Sequence, residues 1–277
     1  MAGLTCLAQH ACHGGTQGFW QHDSKVVGLP MRFGVYQPPQ AKKGSVPMLL
    51  FLAGLTCNEE TFAIKAGAQR FAAQHGVTLV TPDTSPRGVD IPGADAEWDF
   101  GIGAGFYIDA TQQPWAAHWR MESYITLELL DLVRRQFGAA FDRTGIFGHS
   151  MGGHGALTLA LKHPGLFTSV SALAPIAAPT QVPWGIKAFS RYLGDDPARW
   201  KAHDATELLK AGARAPRMLV DQGLADKFLA EQLGREALLA ACEAANQPLL
   251  YREHAGYDHG YYFISTFVED HIRHHAG

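Results

Sequence analysis

Hydrophobic and polar positions follow two periodicities along the chain. Short runs that are almost wholly apolar or β-branched are typical of strands buried in a parallel sheet, and they lie at 46–52, 77–83, 144–147, 170–175, 217–223 and 248–253. Stretches with helical spacing or composition stand between or after them, at 58–75, 120–137, 156–162, 228–245 and 261–274. A run at 31–36 alternates instead, as in an antiparallel strand. Alternating strands and helices predict an α/β fold, with a mostly parallel central sheet and helices on both faces.

Residues 84–119 follow neither periodicity and are rich in glycine and aromatic residues. A long irregular segment inside a compact domain is uncommon and usually functional. We therefore weigh two roles for it, a contribution to a substrate pocket and a structural cover anchored by its aromatic side chains. The chain shows no internal repeat and no linker, so we expect a single domain over residues 1–277.

Composition and charge argue against several classes of function. A net charge of −3, with 47% hydrophobic and 18% charged residues, gives no electrostatic reason to expect nucleic acid or an anionic membrane as a partner. No apolar run is long enough to cross a bilayer, and residues 1–20 lack both Lys and Arg, so we expect no secretory signal. The four cysteines lack metal-site spacing, which favours free thiols and a cytoplasmic protein without a metal centre.

Residues 148–153, Gly-His-Ser-Met-Gly-Gly, carry the first chemical signal. They lie between a predicted strand and a predicted helix, and G-x-S-x-G in that setting is typical of a nucleophile elbow. The turn is so tight that a Cβ at the flanking glycines would collide with the neighbouring backbone. We therefore predict that Ser150 is a nucleophile whose hydroxyl stands above the sheet, beside a helix N-terminus that favours negative charge.

A serine nucleophile needs a histidine base and an acid that orients it, and in α/β-hydrolases these follow in the order Ser, Asp or Glu, His. Asp226 lies in the loop after the penultimate strand, whereas Asp221 ends the strand itself, so position favours Asp226. Two histidines, His254 and His259, fall between the last strand and the last helix. Of the two, His259 is favoured as the base because it lies in a glycine-rich loop, and His254 remains an alternative.

Acyl transfer also needs two preorganised donors for the oxyanion. The backbone N–H of Met151, directly after the predicted nucleophile, is one candidate. The other should follow an earlier central strand, where Gly54 allows a close approach to substrate and Leu55 supplies the N–H.

Several longer runs resemble the S-formylglutathione hydrolase family, also called esterase D. They are 52–57 (LAGLTC), 65–70 (KAGAQR), 82–88 (PDTSPRG), 103–107 (GAGFY), 148–156 (GHSMGGHGA), 183–189 (PWGIKAF) and 256–259 (GYDH). The resemblance implies an α/β-hydrolase fold and hydrolysis of S-formylglutathione, a small-molecule substrate, to glutathione and formate in formaldehyde removal. It further implies a homodimer and no cofactor.

Carried over by motif, the resemblance makes Ser150 the nucleophile, His259 the base and Asp226 its partner, with Leu55 and Met151 as oxyanion donors. It thereby decides between the two histidines that chain order left open.

The resemblance also suggests three pocket residues. Cys57 matches a cysteine typical of the family, and modification there would block acyl binding, unless the side chain is only a small buried hydrophobe. Trp184 and Lys187 are candidates for the glutathione side, although a tryptophan after a proline is as often a packing anchor.

Three positions depart from the family pattern, where the family usually has Ser at 53, Cys-Asn at 177–178 and Ser at 260. Because these departures affect pocket polarity, a general short-chain carboxylesterase remains the alternative. An acyltransferase and a non-enzymatic binding module on the same fold are further rivals.

Overall fold

The computed structural model describes residues 3–276. Its strands form one nine-stranded sheet. In chain order they are β1 (Thr5–Cys12), β2 (Gly15–Asp23), β3 (Pro30–Gln37), β4 (Pro47–Leu52), β5 (Thr78–Pro82), β6 (Ala140–His149), β7 (Ser169–Leu173), β8 (Met218–Gly223) and β9 (Leu249–His254). The sheet order is β1-β2-β3-β5-β4-β6-β7-β8-β9.

The sheet changes direction along this order. Pairs from β1 to β5 are antiparallel, whereas every pair from β5 through β4 to β9 is parallel. The parallel strands read as continuous apolar runs because they are covered on both faces. After β4 the chain adds β5 on one side of that strand and then β6 on the other. The order of strands therefore reverses direction at β4. At such a switch point the carboxyl ends of the parallel strands form a crevice in which ligands bind.

Eleven α-helical segments are assigned within residues 3–276. They are α1 (Thr61–Lys65), α2 (Ala68–His75), α3 (Met121–Ser123), α4 (Leu130–Phe137), α5 (Met151–Lys162), α6 (Pro183–Leu193), α7 (Pro197–Trp200), α8 (Ala205–Lys210), α9 (Leu229–Gln232), α10 (Arg235–Ala244) and α11 (Tyr261–Ala276). Contacts divide several of them into two groups, α2 with α11 and α5 with α8 and α10, and members of both groups pack on the sheet. The α/β fold class predicted from the alternation of strands and helices is confirmed.

Four local predictions need correction. The hairpin β1–β2 was not anticipated, because β1 is an edge strand whose residues are mostly exposed and lack a clear apolar alternation. The helix expected over 58–75 is interrupted at Gly67 and the one over 228–245 at Gly234, both in the left-handed region. None of the predicted helical stretches covers residues 183–193, but Pro183 begins α6 there, since proline is tolerated in the first helical turn.

Candidate active site

Ser150 occupies the sharp turn between β6 and α5. Its backbone has φ 57° and ψ −118°, a strained conformation for a residue with a side chain. A Cβ added to Gly148 would lie 2.1 Å from the Gly152 carbonyl oxygen, and one added to Gly152 would lie 1.9 Å from the Leu52 carbonyl oxygen. Both flanking glycines are therefore required by the close approach of strand and helix.

The Asp226 carboxylate orients the His259 ring. Asp226 Oδ2 lies 2.5 Å from His259 Nδ1. The acid is itself buried, and its oxygens accept hydrogen bonds from the Phe228 backbone N–H at 2.8 Å and from the Gln222 amide at 3.3 Å. With Nδ1–H donated to Asp226, the other ring nitrogen of His259 is left as an acceptor, the form that a general base requires.

The rival acid and histidine lie together in a separate cluster of residues. Asp221 accepts two hydrogen bonds from the Arg252 guanidinium and lies 3.4 Å from His254 and 3.3 Å from His271. Burial raises the pKa of Asp221, but hydrogen bonds from His271 and Arg252 outweigh it and hold that pKa well below its usual range. The His254 ring stacks on Phe267 with a centroid separation of 3.7 Å. Asp221 therefore belongs to a structural cluster, in which it balances the Arg252 charge.

Ser150 and His259 line one small cavity of about 190 Å³. The other lining residues are Gly54, Leu55, Cys57, Trp98, His149, Trp184, Phe228 and Tyr261. The His149 ring centroid lies 4.5 Å from that of His259, and burial, reinforced by this neighbour, keeps the pKa of His149 well below its ordinary value. A neutral His149 packs beside the His259 ring without competing for its proton.

The loop after β4 reaches Ser150 because β4 and β6 are hydrogen-bonded neighbours in which Leu52 pairs with Gly148. A Cβ added to Gly54 would lie 3.2 Å from the Ser150 Cβ, so only glycine permits this approach without displacement. The backbone N–H groups of Leu55 and Met151 have no acceptor among residues 3–276. They are thus two free donors, one from the loop after β4 and one from the first residue of α5.

Residues 84–119 support that loop from outside. The Thr56 N–H donates to the Gly103 carbonyl at 2.9 Å, and the Tyr107 hydroxyl donates to the Ala53 carbonyl at 2.8 Å. His154 on α5 in turn bonds the Phe106 carbonyl at 3.0 Å. The segment also supplies Trp98 to the cavity wall, so it has both of the roles that the sequence left open.

Two of the three pocket candidates, Cys57 and Trp184, line the cavity. Burial raises the pKa of the Cys57 thiol, which favours the less reactive protonated form. Lys187 is not among the lining residues, because its ammonium lies 2.5 Å from both Glu97 and Asp99 in the 84–119 segment. That pair of contacts fixes the loop that carries Trp98.

Sequence reasoning missed three aromatic lining residues, Trp98, Phe228 and Tyr261. Phe228 and Tyr261 each stand two positions after a predicted triad member, which was the available signal. For Trp98, the only signal in the sequence was its position in a loop rich in aromatic residues.

Within residues 3–276, no three His, Cys, Asp or Glu side chains are grouped so that they could hold a metal ion. The described part of the chain also contains no helix with the length and apolar character needed to cross a membrane. All four cysteines are free thiols.

Comparisons with known proteins identify the family of this chain. The Esterase family model, described as "Putative esterase", matches residues 24–274. The chain is 52% identical to the S-formylglutathione hydrolase of Mus musculus, over 99% of this chain and 98% of that protein, and 50% identical to that of Bos taurus over the same shares. The structure of an S-formylglutathione hydrolase from Agrobacterium tumefaciens superposes with a TM-score of 0.96 at 46% identity, covering 98% of both chains. The chain therefore belongs to the Esterase family and, within it, to the S-formylglutathione hydrolases.

Proposed function

We propose that this chain is a serine hydrolase that cleaves S-formylglutathione to glutathione and formate, a step of formaldehyde removal. The observation that carries the proposal is the Asp226–His259 pair beside Ser150 in one small cavity. The relatives at about 50% identity supply the substrate, because they are named S-formylglutathione hydrolases.

In the first half of the reaction, Ser150 Oγ attacks the formyl carbon while His259 Nε2 takes the hydroxyl proton. Asp226 stabilises the resulting imidazolium through the Nδ1–H bond of 2.5 Å. The negative charge on the former carbonyl oxygen is held by the N–H groups of Leu55 and Met151. The carbon–sulfur bond then breaks, and glutathione leaves with the proton from His259.

In the second half, a water molecule attacks the formyl ester on Ser150. His259 takes one proton from this water and returns it to Ser150 Oγ as the ester bond breaks. Formic acid leaves and ionises to formate in water, and the free enzyme is restored. No step needs a cofactor, because the nucleophile, the base and the oxyanion donors are all groups of the chain.

The test compares kcat/KM for S-formylglutathione and p-nitrophenyl acetate in the wild type and in Ser150→Ala. We expect a large preference for the thioester, and a loss of at least about 10³-fold for both substrates in the variant. Equal or better activity on the acetate ester would retain Ser150 but make the protein a general short-chain carboxylesterase. Unchanged hydrolysis in Ser150→Ala would overturn the nucleophile assignment.

We also propose a single domain over residues 1–277, located in the cytoplasm and assembled as a homodimer. One sheet takes strands from Thr5 to His254, which supports the single domain.

The four free thiols suit a reducing compartment, which supports the cytoplasmic location. Both edge strands expose apolar side chains, Leu7 and Leu250, of the kind that can pair with a second copy. Sedimentation equilibrium would show the mass of either one chain or two.

A further inference from the structure

The cavity at Ser150 is too small for the whole substrate that the proposed function assigns to it. Its volume is about 190 Å³, whereas sites for ligands of this size enclose roughly 300–1,000 Å³. In S-formylglutathione the formyl group is attached to the central cysteine of a tripeptide. When that group lies at Ser150, the peptide must therefore extend beyond the cavity along the neighbouring surface.

A second groove adjoins the cavity. It has a volume of about 480 Å³ and is lined by Lys65, Tyr261, Tyr262 and Ser265. Tyr261 lines both spaces, so the groove and the cavity lie next to each other at this residue. Tyr262 is 86% exposed, unusual for a large aromatic residue, and offers an uncovered face to a peptide.

The groove carries a positive charge that has no acidic partner in the described part of the chain. Lys65 Nζ lies 5.6 Å from the Tyr261 ring centroid, and the ammonium forms no ion pair within residues 3–276. By contrast, Lys187 and Arg191 near the Trp98 side of the cavity are paired with acids of the 84–119 segment. The first turn of α11, which forms part of the groove, contains no acidic residue.

Glutathione carries the complementary charge. Its γ-glutamyl end has an ammonium beside its carboxylate, whereas the glycine carboxylate has no neighbouring cation. We propose that the groove binds the glutathionyl part of the substrate, with Lys65 pairing with the glycine carboxylate and Tyr261 marking the passage from the reacting thioester to the peptide. The inference depends on the proposed function for the identity of the thiol.

The first experiment compares Lys65→Met, Lys65→Arg and the matched control Lys227→Met. Methionine keeps the length of the apolar stem and removes the charge. Lys227 is also exposed, and its Nζ lies 4.9 Å from the ring of Phe228, another lining residue. We expect Lys65→Met to raise KM for S-formylglutathione about fivefold, the size expected for an exposed ion pair, with kcat retained and with Lys65→Arg near wild type.

The second experiment uses S-methylglutathione as an inhibitor of p-nitrophenyl acetate hydrolysis, and compares it with its glycine ethyl ester. We expect competitive inhibition, with an inhibition constant that rises about fivefold in Lys65→Met. In the wild type, the ethyl ester should have an inhibition constant raised by the same factor. In Lys65→Met, esterification should have no further effect, because both changes remove the same contact.

Failure of this inference is distinguishable from failure of the proposed function. If S-formylglutathione is hydrolysed well but Lys65→Met changes neither KM nor inhibition, or if Lys227→Met has the same effect, the groove assignment is wrong. If p-nitrophenyl acetate is turned over but S-formylglutathione is not, the proposed substrate is wrong. The inhibitor measurement then still decides whether the groove binds a glutathionyl group.

Discussion

At the scale of single residues, the two aspartates at the end of β8 show how position separates similar groups. They stand five positions apart, yet Asp221 is held by Arg252 and His271 while Asp226 holds His259. Asp221 belongs to the strand, so its side chain is directed by the sheet pleat. Asp226 belongs to the following loop, which is free to turn toward the cavity.

Replacing each aspartate by asparagine should therefore affect a different property, activity for Asp226 and stability for Asp221. We expect Asp226→Asn to lower kcat/KM on the order of 10³- to 10⁴-fold, because His259 loses the group that fixes its tautomer. Asp221→Asn should instead lower the melting temperature, because the Arg252 charge is left without its buried partner. Steady-state kinetics beside thermal unfolding would separate the two, and a larger kinetic loss in Asp221→Asn would reverse the assignment.

A second residue-scale prediction concerns His154 on α5. Burial lowers its pKa from 6.5 to about 3, so the folded protein keeps it neutral where the unfolded chain would protonate it. The free energy of unfolding should thus fall as the pH falls from about 6.5 toward 3, by up to about 1.4 kcal/mol per pH unit for this one group. His154→Gln removes that proton uptake, so its stability should depend less steeply on pH.

Urea unfolding at pH 7.5, 6 and 5 would measure the difference in slope between the wild type and His154→Gln. His10→Gln, at an exposed histidine, is measured in parallel as the control for replacing an imidazole by an amide. Parallel stability curves for wild type and His154→Gln would contradict the prediction.

At the scale of secondary-structure elements, the site depends on how closely β4, β6 and α5 approach one another. Leu52 of β4 pairs with Gly148 of β6, and Gly152 of α5 lies against the same Leu52 carbonyl. The nucleophile turn and the donor loop are thereby held by backbone contacts, with no room for an additional atom. This arrangement explains why the strained Ser150 conformation persists.

We expect Gly152→Ala to be severely destabilising, because its Cβ would overlap the Leu52 carbonyl at 1.9 Å and backbone cannot move aside cheaply. Gly44→Ala is the matched control, since a Cβ there meets nothing within 4 Å and its φ is not in the left-handed region. Soluble yield and melting temperature would compare them. Equal melting temperatures would show that the elbow can relax.

At the scale of the whole molecule, the cavity wall is assembled by contacts between distant segments. Lys187 and Arg191 on α6 pair with Glu97 and Asp99 in the 84–119 segment. Trp98, which lies between these two acids in the sequence, packs edge-to-face against Trp184 with ring centroids 5.5 Å apart. The ion pairs thus hold an aromatic wall that the chain's local structure would not fix.

We expect Lys187→Met to loosen this wall and to raise severalfold the ratio of kcat/KM for p-nitrophenyl butyrate to that for the acetate, because a displaced Trp98 leaves room for a larger substrate. Lys210→Met is the control, because it removes an ion pair with Glu207 that lies outside the cavity lining. An unchanged ratio in Lys187→Met would show that Trp98 stays in place without the pairs.

The sequence by itself determined the local features. Apolar runs predicted the parallel strands, and the two glycines around Ser150 predicted the elbow, because both depend on the shape of adjacent residues. Chain order also favoured Asp226 and His259, but it could not show that Asp221 and His254 lie together in a separate cluster. The breaks at Gly67 and Gly234 were missed, since an isolated glycine does not reveal the sign of its φ.

Only the tertiary structure decided which side chains surround the reacting groups. Trp98, Trp184, Phe228 and Tyr261 come from four segments up to 163 positions apart, and no local periodicity records that they converge. The same holds for Lys187, which forms ion pairs with Glu97 and Asp99, and for Lys65, which forms none within residues 3–276. A charge's partner depends on distances in space, which follow from the sheet order and not from the sequence near the residue.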